Sequence, residues 1–263
     1  MQIAGYLIWV ENAVQIKYSI GMTRGKTDKV DAARIAWYGY KNQERAKIWT
    51  PKREILQELA VLLKNRKRLL KVKVQLSSYT EAKQFVSKKI FSLMQKNTGK
   101  LLTEVKKSID LLDKQIEQLI RSDESLCTKY RLIKTVEGVG HVIAATVLVK
   151  TNEFKDYQDG RKFACNAGVV PFEHSSGKSV RGKTRISHRA DKSLKTLFHL
   201  AAVSVIRQKR SQLKDYYERK VQEGKNKMLI LNALRNKIIQ RIFAVIQRGT
   251  PYQKFNNYVL VNP

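Results

Sequence analysis

The sequence predicts a mainly α-helical protein with a small α/β part near its N-terminus. Two observations favour helices: apolar residues recur with a helical rhythm over 51–128, and further helical segments follow residue 190. A third observation adds the α/β part, because two short segments before residue 51 are rich in β-branched and aromatic residues. With 263 residues, 43% of them hydrophobic, the chain can bury a sizeable core.

The first region, 1–50, is predicted to combine one helix with two short strands. Tyr6–Val10 is apolar and is predicted as a buried strand, and Ala46–Thr50 is predicted as a second strand that stops at Pro51. Between them lies the helical pattern of 26–40. It starts beside Thr27, a good N-cap, with acidic residues in the first turn, where the helix dipole favours them.

The second region, 51–128, is predicted to form two long helices, the second starting after a break at Asn97–Gly99. The apolar seam is typical of an antiparallel hairpin or a coiled coil, although Arg66 and Lys73 occupy two of its positions. The pair is either a dimerisation arm or an ordinary helix pair inside one bundle. The seam residues are Ile55, Leu59, Leu62, Leu69, Leu76, Leu102, Val105, Ile109, Leu112, Ile116 and Leu119.

The third region, 129–263, opens with a helix, a Gly-Val-Gly turn and a second helix, which is the pattern of a helix–hairpin–helix. Gly138 and Gly140 permit a tight turn and leave N–H groups at the next helix N-terminus free to bind a phosphate. A plain connector between helices is the alternative interpretation. Asn166–Ser187 is predicted to be rich in loops, and helices are predicted near 192–207, 213–222 and 227–247.

The charge of the chain points to a polyanionic partner. The 52 Lys and Arg residues exceed the 22 Asp and Glu residues by 30. Because uncompensated charge of this size repels itself in a compact state, DNA or RNA is the leading candidate partner. A membrane-surface or ribosome-associated protein is the alternative.

Several classes of protein are excluded by the sequence pattern. No apolar run approaches the roughly 18–20 residues of a membrane span, and Met1–Val10 does not resemble a signal peptide. Cys127 and Cys165 are the only cysteines and lie far apart, which argues against a disulfide scaffold or a Cys-based zinc site. The chain contains no P-loop and no GxGxxG motif. We expect a cytoplasmic, nucleoid-associated protein that has no membrane partner.

Asp28 and Asp31 form the first candidate site. Their spacing of three residues places both carboxylates on one face of a helix. Paired carboxylates suit Mg²⁺, which takes hard oxygen ligands and commonly completes its shell with waters and substrate phosphates. The alternative is that the two residues only interact with the helix dipole.

A serine-rich basic segment, 171–187, forms the second candidate site. A serine hydroxyl is a weak nucleophile until its proton is removed, and a cluster of cations can both lower its pKa and stabilise a transferring phosphoryl group. The alternative is a basic loop that binds phosphates without a catalytic role. The residues concerned are Ser175, Ser176 and Ser179, with Lys178, Arg181, Lys183 and Arg185 as phosphate-binding cations.

Five motifs in order resemble the DEDD/serine transposases of the insertion-sequence 110 family, the bridge-RNA-guided recombinases. They are Lys26-Thr-Asp-Lys-Val-Asp-Ala32, the coiled-coil spacer, Thr135-Val-Glu-Gly-Val-Gly140, Ala167-Gly-Val-Val-Pro171 and Ser176-Gly-Lys-Ser-Val-Arg-Gly182. The resemblance implies a partial RuvC-like domain of the RNase H fold over 1–50, a coiled-coil arm over 51–128 and a C-terminal transposase domain over 129–263.

The resemblance also implies a chemistry. Ser176, directly before Gly177, matches the serine nucleophile, with Ser175 as the rival, and Asp28 and Asp31 match the last two residues of an acidic tetrad that binds Mg²⁺. Family members pair a structured guide RNA from the element with donor and target DNA. They assemble composite active sites from several protomers, so we expect a homo-oligomer held through the coiled coil.

One departure from the family pattern concerns the first Asp and the Glu of the tetrad, because Glu11 is the only acidic residue before Asp28 and fits neither position. We therefore expect an N-terminally truncated copy or a late-start gene model. Two carboxylates would hold Mg²⁺ weakly. The alternative function is a non-catalytic DNA- and RNA-binding remnant that associates with full-length transposase.

Overall fold

The computed structural model describes residues 7–19, 21, 27–176, 180–187, 189–209 and 211–253. These residues are mostly helical, so the prediction of a mainly α fold is confirmed. The chain divides into two compact units, Met1–Lys52 and Arg53–Pro263. None of the described helices is both long and apolar enough to cross a bilayer.

The N-terminal unit contains helix α1 (Ala13–Ser19), helix α2 (Asp28–Lys41) and a short 3₁₀ helix (Gln43–Arg45). The predicted cap of α2 is confirmed, because the side chain of Thr27 accepts a hydrogen bond from the N–H of Val30 at 3.3 Å. The capping oxygen satisfies one of the N–H groups that a helix start leaves without a partner.

The two predicted strands of the N-terminal unit are wrong in extent. In the described part of this unit they reduce to one antiparallel bridge between Trp9 and Ile48, beside which the N–H of Trp49 donates to the carbonyl of Ile8 at 2.7 Å. The α/β part is therefore smaller than the residue types predicted, and the RuvC-like fold remains a prediction.

The C-terminal unit begins with an antiparallel helix hairpin, α3 (Glu54–Ser77) and α4 (Lys88–Arg121), joined through a 3₁₀ helix (Ser78–Gln84). The predicted break at Asn97–Gly99 is wrong, because these residues lie inside α4, which is one unbroken helix of 34 residues. A glycine inside a helix costs only about 0.5–1 kcal/mol relative to alanine. Packing along a helix of this length outweighs that cost.

The α3–α4 hairpin is buried at its base and exposed further out. Leu59 of α3 and Ile116 of α4 are fully buried members of the core, and Arg66, in a predicted seam position, pairs with Asp113 of α4. Leu93 towards the other end is 58% exposed. The base thus behaves as a helix pair within a bundle, and the coiled coil with its dimerisation role remains a prediction.

The rest of the C-terminal unit is helical around one β-hairpin. The stretch Asn166–Ser187, predicted to be rich in loops, contains two antiparallel strands that take up half of its residues, and neither these strands nor α7 were predicted. The predicted ends of α8, α9 and α10 are correct to within one residue. The elements are α5 (Glu124–Lys134), α6 (His141–Thr151), α7 (Gly160–Asn166), β1 (Phe172–Ser176), β2 (Val180–Arg185), α8 (Lys192–Ile206), α9 (Gln212–Gln222) and α10 (Lys227–Arg248).

The core of this unit forms around α10, which contacts α5, α7, α8 and α9. Phe163 of α7 is fully buried and lies edge-on to Phe198 of α8 and tilted against Phe243 of α10. Aromatic rings prefer such arrangements because their edges are positive and their faces negative. The three rings hold α7, the helix that leads into β1, on the core.

Candidate functional site

The serine-rich segment forms a β-hairpin. In the register of its ladder, Ser176 lies opposite Val180, Ser175 opposite Arg181 and His174 opposite Gly182, with an irregularity between residues 172 and 174. Ser176 is the last residue of β1, and β2 begins at Val180. Lys178 and Ser179, named as candidates from the sequence, lie outside the described residues.

The register separates the two candidate serines. Ser175 is paired with Arg181, whereas Ser176, the last residue of β1, is paired with Val180, the first residue of β2. Lys183 and Arg185 follow Arg181 along β2. The ladder therefore distinguishes the two serines by their backbone partners.

The segment that precedes β1 is fixed by close packing of Gly168 against Ala190 and Ile186. The φ of Gly168, +65°, is a conformation that side chains rarely adopt, and a Cβ there would lie 2.9 Å from Cβ of Ala190 and 3.2 Å from Cγ2 of Ile186. Ile186 directly follows β2. The contact therefore brings the chain before β1 against the chain after β2, and both ends of the hairpin are held together.

The outgoing end of the hairpin is fixed by Asp191, the N-cap of α8. Its N–H donates to the carbonyl of Asn166 at 2.7 Å, and its carboxylate accepts from Lys150 Nζ at 2.7 Å and from the Ser193 N–H at 2.8 Å. Burial opposes ionisation of this carboxyl, but the hydrogen bonds from Lys150, Ser193 and the Leu194 N–H outweigh it and hold its pKa well below the usual value.

The turn between α5 and α6 is anchored on α8. Gly138 has a φ of +80°, and a Cβ there would lie 2.4 Å from Cγ2 of Val205 and 2.8 Å from the carbonyl oxygen of Ala201. The glycine is thus required by backbone conformation and by packing. Gly138 therefore allows the α5–α6 turn to pack against α8. The sequence pattern did not reveal this role.

Gly140 has a different environment from Gly138. It caps α6 without a side-chain hydrogen bond, and a Cβ there would meet no atom within 4 Å. Among the described residues, the N–H groups of the first turn of α6 find no acceptor before Ala144, which donates to the carbonyl of Gly140. These N–H groups are thus left without a protein acceptor, and the helix–hairpin–helix and its phosphate binding stay predictions.

Glu137 is a buried carboxylate that sequence reasoning missed. Its side chain is 4% exposed, and Oε2 accepts from Ser211 Oγ at 3.0 Å and from Arg241 Nη1 at 3.2 Å. Ser211 is also the N-cap of α9. One carboxylate therefore links the α5–α6 turn to α9 and α10. The sequence signal for it was an acidic residue placed between Val136 and Val139, which are both buried.

A second ionic cluster joins α6 to the α3–α4 hairpin. Nε2 of His141, the first residue of α6, lies 3.1 Å from Oδ1 of Asp113, whose other oxygen accepts from Arg66 Nη2 at 3.0 Å. Burial raises the pKa of Asp113, but the hydrogen bonds from Arg66 and His141 lower it below its usual value. The first residue of α6 is thus a histidine whose imidazole contacts the carboxylate of Asp113 on α4.

The candidate metal ligands belong to the N-terminal unit. Asp28 and Asp31 lie in the first turn of α2, and Asp31 pairs with Nη1 of Arg34 at 3.2 Å. Glu11 accepts from the Tyr38 hydroxyl at 3.4 Å. Nowhere in the described ranges do three or more His, Cys, Asp or Glu residues gather in a manner that could hold a metal.

The described portion of the C-terminal unit matches a known family. The model of the transposase IS116/IS110/IS902 family covers residues 130–218, which include the α5–α6 turn, the β-hairpin and α8. The residues that match the family model therefore include the hairpin that carries the candidate serine.

Curated relatives are similar over longer stretches. The chain is 30% identical over 236 residues to the pilin gene-inverting protein of Moraxella bovis, covering 90% of this chain and 70% of that protein. A probable family 20 transposase of Pseudomonas aeruginosa is 28% identical over 160 residues, covering 59% and 47%. The transposase for insertion sequence element IS1328 of Yersinia enterocolitica is 29% identical over 171 residues, covering 59% and 48%.

Proposed function

Because this chain belongs to the transposase IS116/IS110/IS902 family, we propose that it is a DNA transposase or recombinase that exchanges strands through a covalent link to Ser176. The observation that carries the proposal is the position of Ser176, the last residue of β1 in a hairpin whose two ends are fixed on the core. A hairpin fixed in this way would present its serine to a DNA strand from a defined position.

The chemistry proposed for Ser176 is an ester exchange. The Ser176 oxygen attacks a backbone phosphorus, so that a Ser–O–P bond forms as the bond between phosphorus and one deoxyribose oxygen breaks. The serine proton leaves to solvent and the released deoxyribose oxygen takes up a proton, so atoms and charge balance. Because one phosphoester replaces another, the released DNA end or another strand can reverse the step.

Two features support DNA binding beside the serine. The strand paired with that of Ser176 carries Arg181, Lys183 and Arg185, and their positive charges would attract the DNA backbone to the hairpin. The open N-terminus of α6 beside Gly140 offers backbone N–H groups that would bind a second backbone phosphate. The net charge of +30 extends the attraction over the whole chain.

A magnesium ion would be held by Asp28 and Asp31. The donor set fits weak binding, because Mg²⁺ commonly takes one or two carboxylates and completes its shell with waters and substrate phosphates. When bound, the ion would offset negative charge on a phosphate. Asp31 already pairs with Arg34, so binding would require this ion pair to open.

We further propose a structured RNA and a second copy of this chain as partners. The exposed apolar side chains of the α3–α4 hairpin support self-association, because Ile90, Leu93 and Leu101 are each more than half exposed. The excess of positive charge supports RNA as well as DNA.

The experiment that tests the proposal is an assay for a covalent protein–DNA adduct. The purified chain is mixed with RNA transcribed from its element, Mg²⁺ and end-labelled DNA carrying the element junction, and adducts are separated on a denaturing gel. We expect an adduct with the natural chain and with Ser175→Ala, and none with Ser176→Ala. An adduct that survives Ser176→Ala would refute the assignment.

A second candidate function is non-catalytic binding of nucleic acid. The acidic pair favours it, because in the described residues no third metal-binding side chain joins Asp28 and Asp31. This alternative predicts salt-sensitive binding of duplex DNA, with log K falling by about 0.9 per phosphate contact for each log unit of salt. It also predicts that the adduct assay yields no covalent product under any condition.

A further inference from the structure

Arg235 of α10 is a buried arginine with no carboxylate partner among the described residues. The residue is 5% exposed. Its Nη2 contacts Nδ1 of His199 at 2.7 Å, its Nη1 lies 3.5 Å from Oδ1 of Asn232, and its buried Nε has no hydrogen-bond partner. A guanidinium is always charged, and a buried charge is costly unless an anion or several hydrogen bonds compensate it.

The contact between Arg235 and His199 fixes the protonation of the imidazole. Arginine only donates hydrogen bonds, so Nδ1 of His199 must accept and the hydrogen must lie on Nε2. Burial lowers the pKa of His199 below its usual value, and the charge of Arg235 lowers it further. His199 is half-buried and its Nε2–H has no acceptor among the described residues. The imidazole therefore presents an N–H donor with a cation directly behind it.

The surroundings of this pair are basic and lead to the serine hairpin. Lys195 lies one helical turn before His199 on α8, and its Cδ would be 3.8 Å from a Cβ on Gly168. Asn232, one turn before Arg235, donates to the carbonyl of Val169 at 2.7 Å. We call Lys195, His199, Asn232 and Arg235 the α8–α10 cluster. It touches two consecutive residues just before β1.

We propose that the α8–α10 cluster binds one phosphate group of the nucleic-acid backbone, with His199 Nε2–H as the donor and Arg235 as the positioning residue behind it. The identification of the phosphate as that of DNA rests on the proposed function. The uncompensated charge of Arg235 attracts an anion, and a hydrogen bond to a charged acceptor is stronger than one between neutral groups. Asn232 and Lys195 link the bound phosphate to the chain segment that carries Ser176.

The test uses the full chain and inorganic phosphate as the probe. Phosphate is added at constant ionic strength and neutral pH while the imidazole nitrogens are followed by ¹H–¹⁵N NMR against an external ¹⁵N standard. We expect a saturable shift of the His199 Nε2 resonance. We expect Arg235→Met to weaken phosphate binding at His199 by about tenfold, because the imidazole loses both the positive charge behind it and the contact that fixes its tautomer.

Two matched variants complete the test. Arg235→Lys keeps the charge and should retain part of the phosphate affinity, and Lys227→Met removes one exposed charge from the same helix and should leave the His199 titration unchanged. An unresponsive His199 resonance in the folded natural chain would overturn the proposal, as would equal titrations of the natural chain and Arg235→Met. The covalent adduct assay is independent, so phosphate binding without an adduct would refute the role of Ser176 and leave this site standing.

Discussion

The two compact units differ in how much apolar surface they bury. The C-terminal unit packs α3 to α10 around one continuous core, whereas Tyr38 is the one buried hydrophobic residue in the described part of the N-terminal unit. Because burial supplies most of the stability of a fold, the serine hairpin and the α5–α6 turn rest on a rigid scaffold and the acidic pair rests on a weakly packed one. We expect the two units to unfold separately.

The largest effect should follow Phe163→Ala, which tests the core of the C-terminal unit. Phe163 is fully buried between Tyr157, Phe198 and Phe243. Truncation of a buried phenylalanine costs about 3–5 kcal/mol in the free energy of unfolding. Denaturant unfolding followed by circular dichroism measures the loss, and a loss under about 1 kcal/mol would contradict the rigid scaffold.

Gly138→Ala should be the next most damaging change, because it tests how the α5–α6 turn is anchored. The new Cβ would meet a backbone oxygen, that of Ala201, at 2.8 Å in a positive-φ conformation. Overpacking and a strained φ together should cost about 2–4 kcal/mol. Denaturant unfolding provides the measurement.

Gly140→Ala is the matched control for this turn. Its Cβ would enter open space at a φ of −88°, so stability should change by less than about 1 kcal/mol. Any loss of DNA affinity in Gly140→Ala would then reflect the open N-terminus of α6 and not the fold. Equal destabilisation by the two substitutions would show that the turn is not anchored as described.

Lowering the pH should decrease the stability of the C-terminal unit, because several of its carboxyl groups have lowered pKa values in the folded state. The folded-state pKa values of Asp113, Glu153 and Asp191 lie below their ordinary values of 3.8, 4.5 and 3.8. Each carboxylate thus contributes stability that is present above its ordinary pKa and is lost as the pH falls through that value towards the folded pKa. We expect the denaturation midpoint to fall steadily below about pH 4.5.

Asp191→Asn isolates one of these carboxylates. Asparagine can still cap α8, but it loses the charge that pairs with Lys150. We expect a loss on the order of 1 kcal/mol at neutral pH, which should shrink as the pH falls below the ordinary pKa of 3.8, because the carboxyl is then protonated in the unfolded state. A pH profile identical to that of the natural chain would mean that the ion pair between Asp191 and Lys150 does not stabilise the segment that follows the β-hairpin.

The smallest effect on the C-terminal unit should follow Tyr38→Ala, which tests the independence of the two units. Tyr38 packs against Trp9 at a ring distance of 5.6 Å within the N-terminal unit. We expect this unit to lose its tryptophan fluorescence transition while the unfolding free energy of the C-terminal unit changes by less than about 0.5 kcal/mol. A larger change there would mean that the units unfold as one.

Sequence patterns predicted the helices and the seam better than the site. The seam residues Ile109 and Ile116 are buried as expected, because helical periodicity reports directly on which face packs. Gly99 misled the prediction, since a helix interior can accept one glycine when packing compensates.

The partners of buried charges could not be predicted at all. The Glu137–Arg241 pair spans 104 residues and the Arg235–His199 contact spans 36. Such pairs are created by tertiary packing, which leaves no local spacing to detect. The hairpin was missed for a related reason: its Ser, Gly and Lys residues favour turns, and the ladder between its strands overrides that preference.

The most direct test of the central claim is to identify the residue that carries DNA. The covalent adduct is digested with nuclease and protease, and the peptide that contains Ser175 and Ser176 is sequenced by mass spectrometry. We predict a nucleotide attached through phosphate to Ser176 alone. Attachment to Ser175, which is paired with Arg181 in the ladder, or to a residue outside this hairpin would contradict the account.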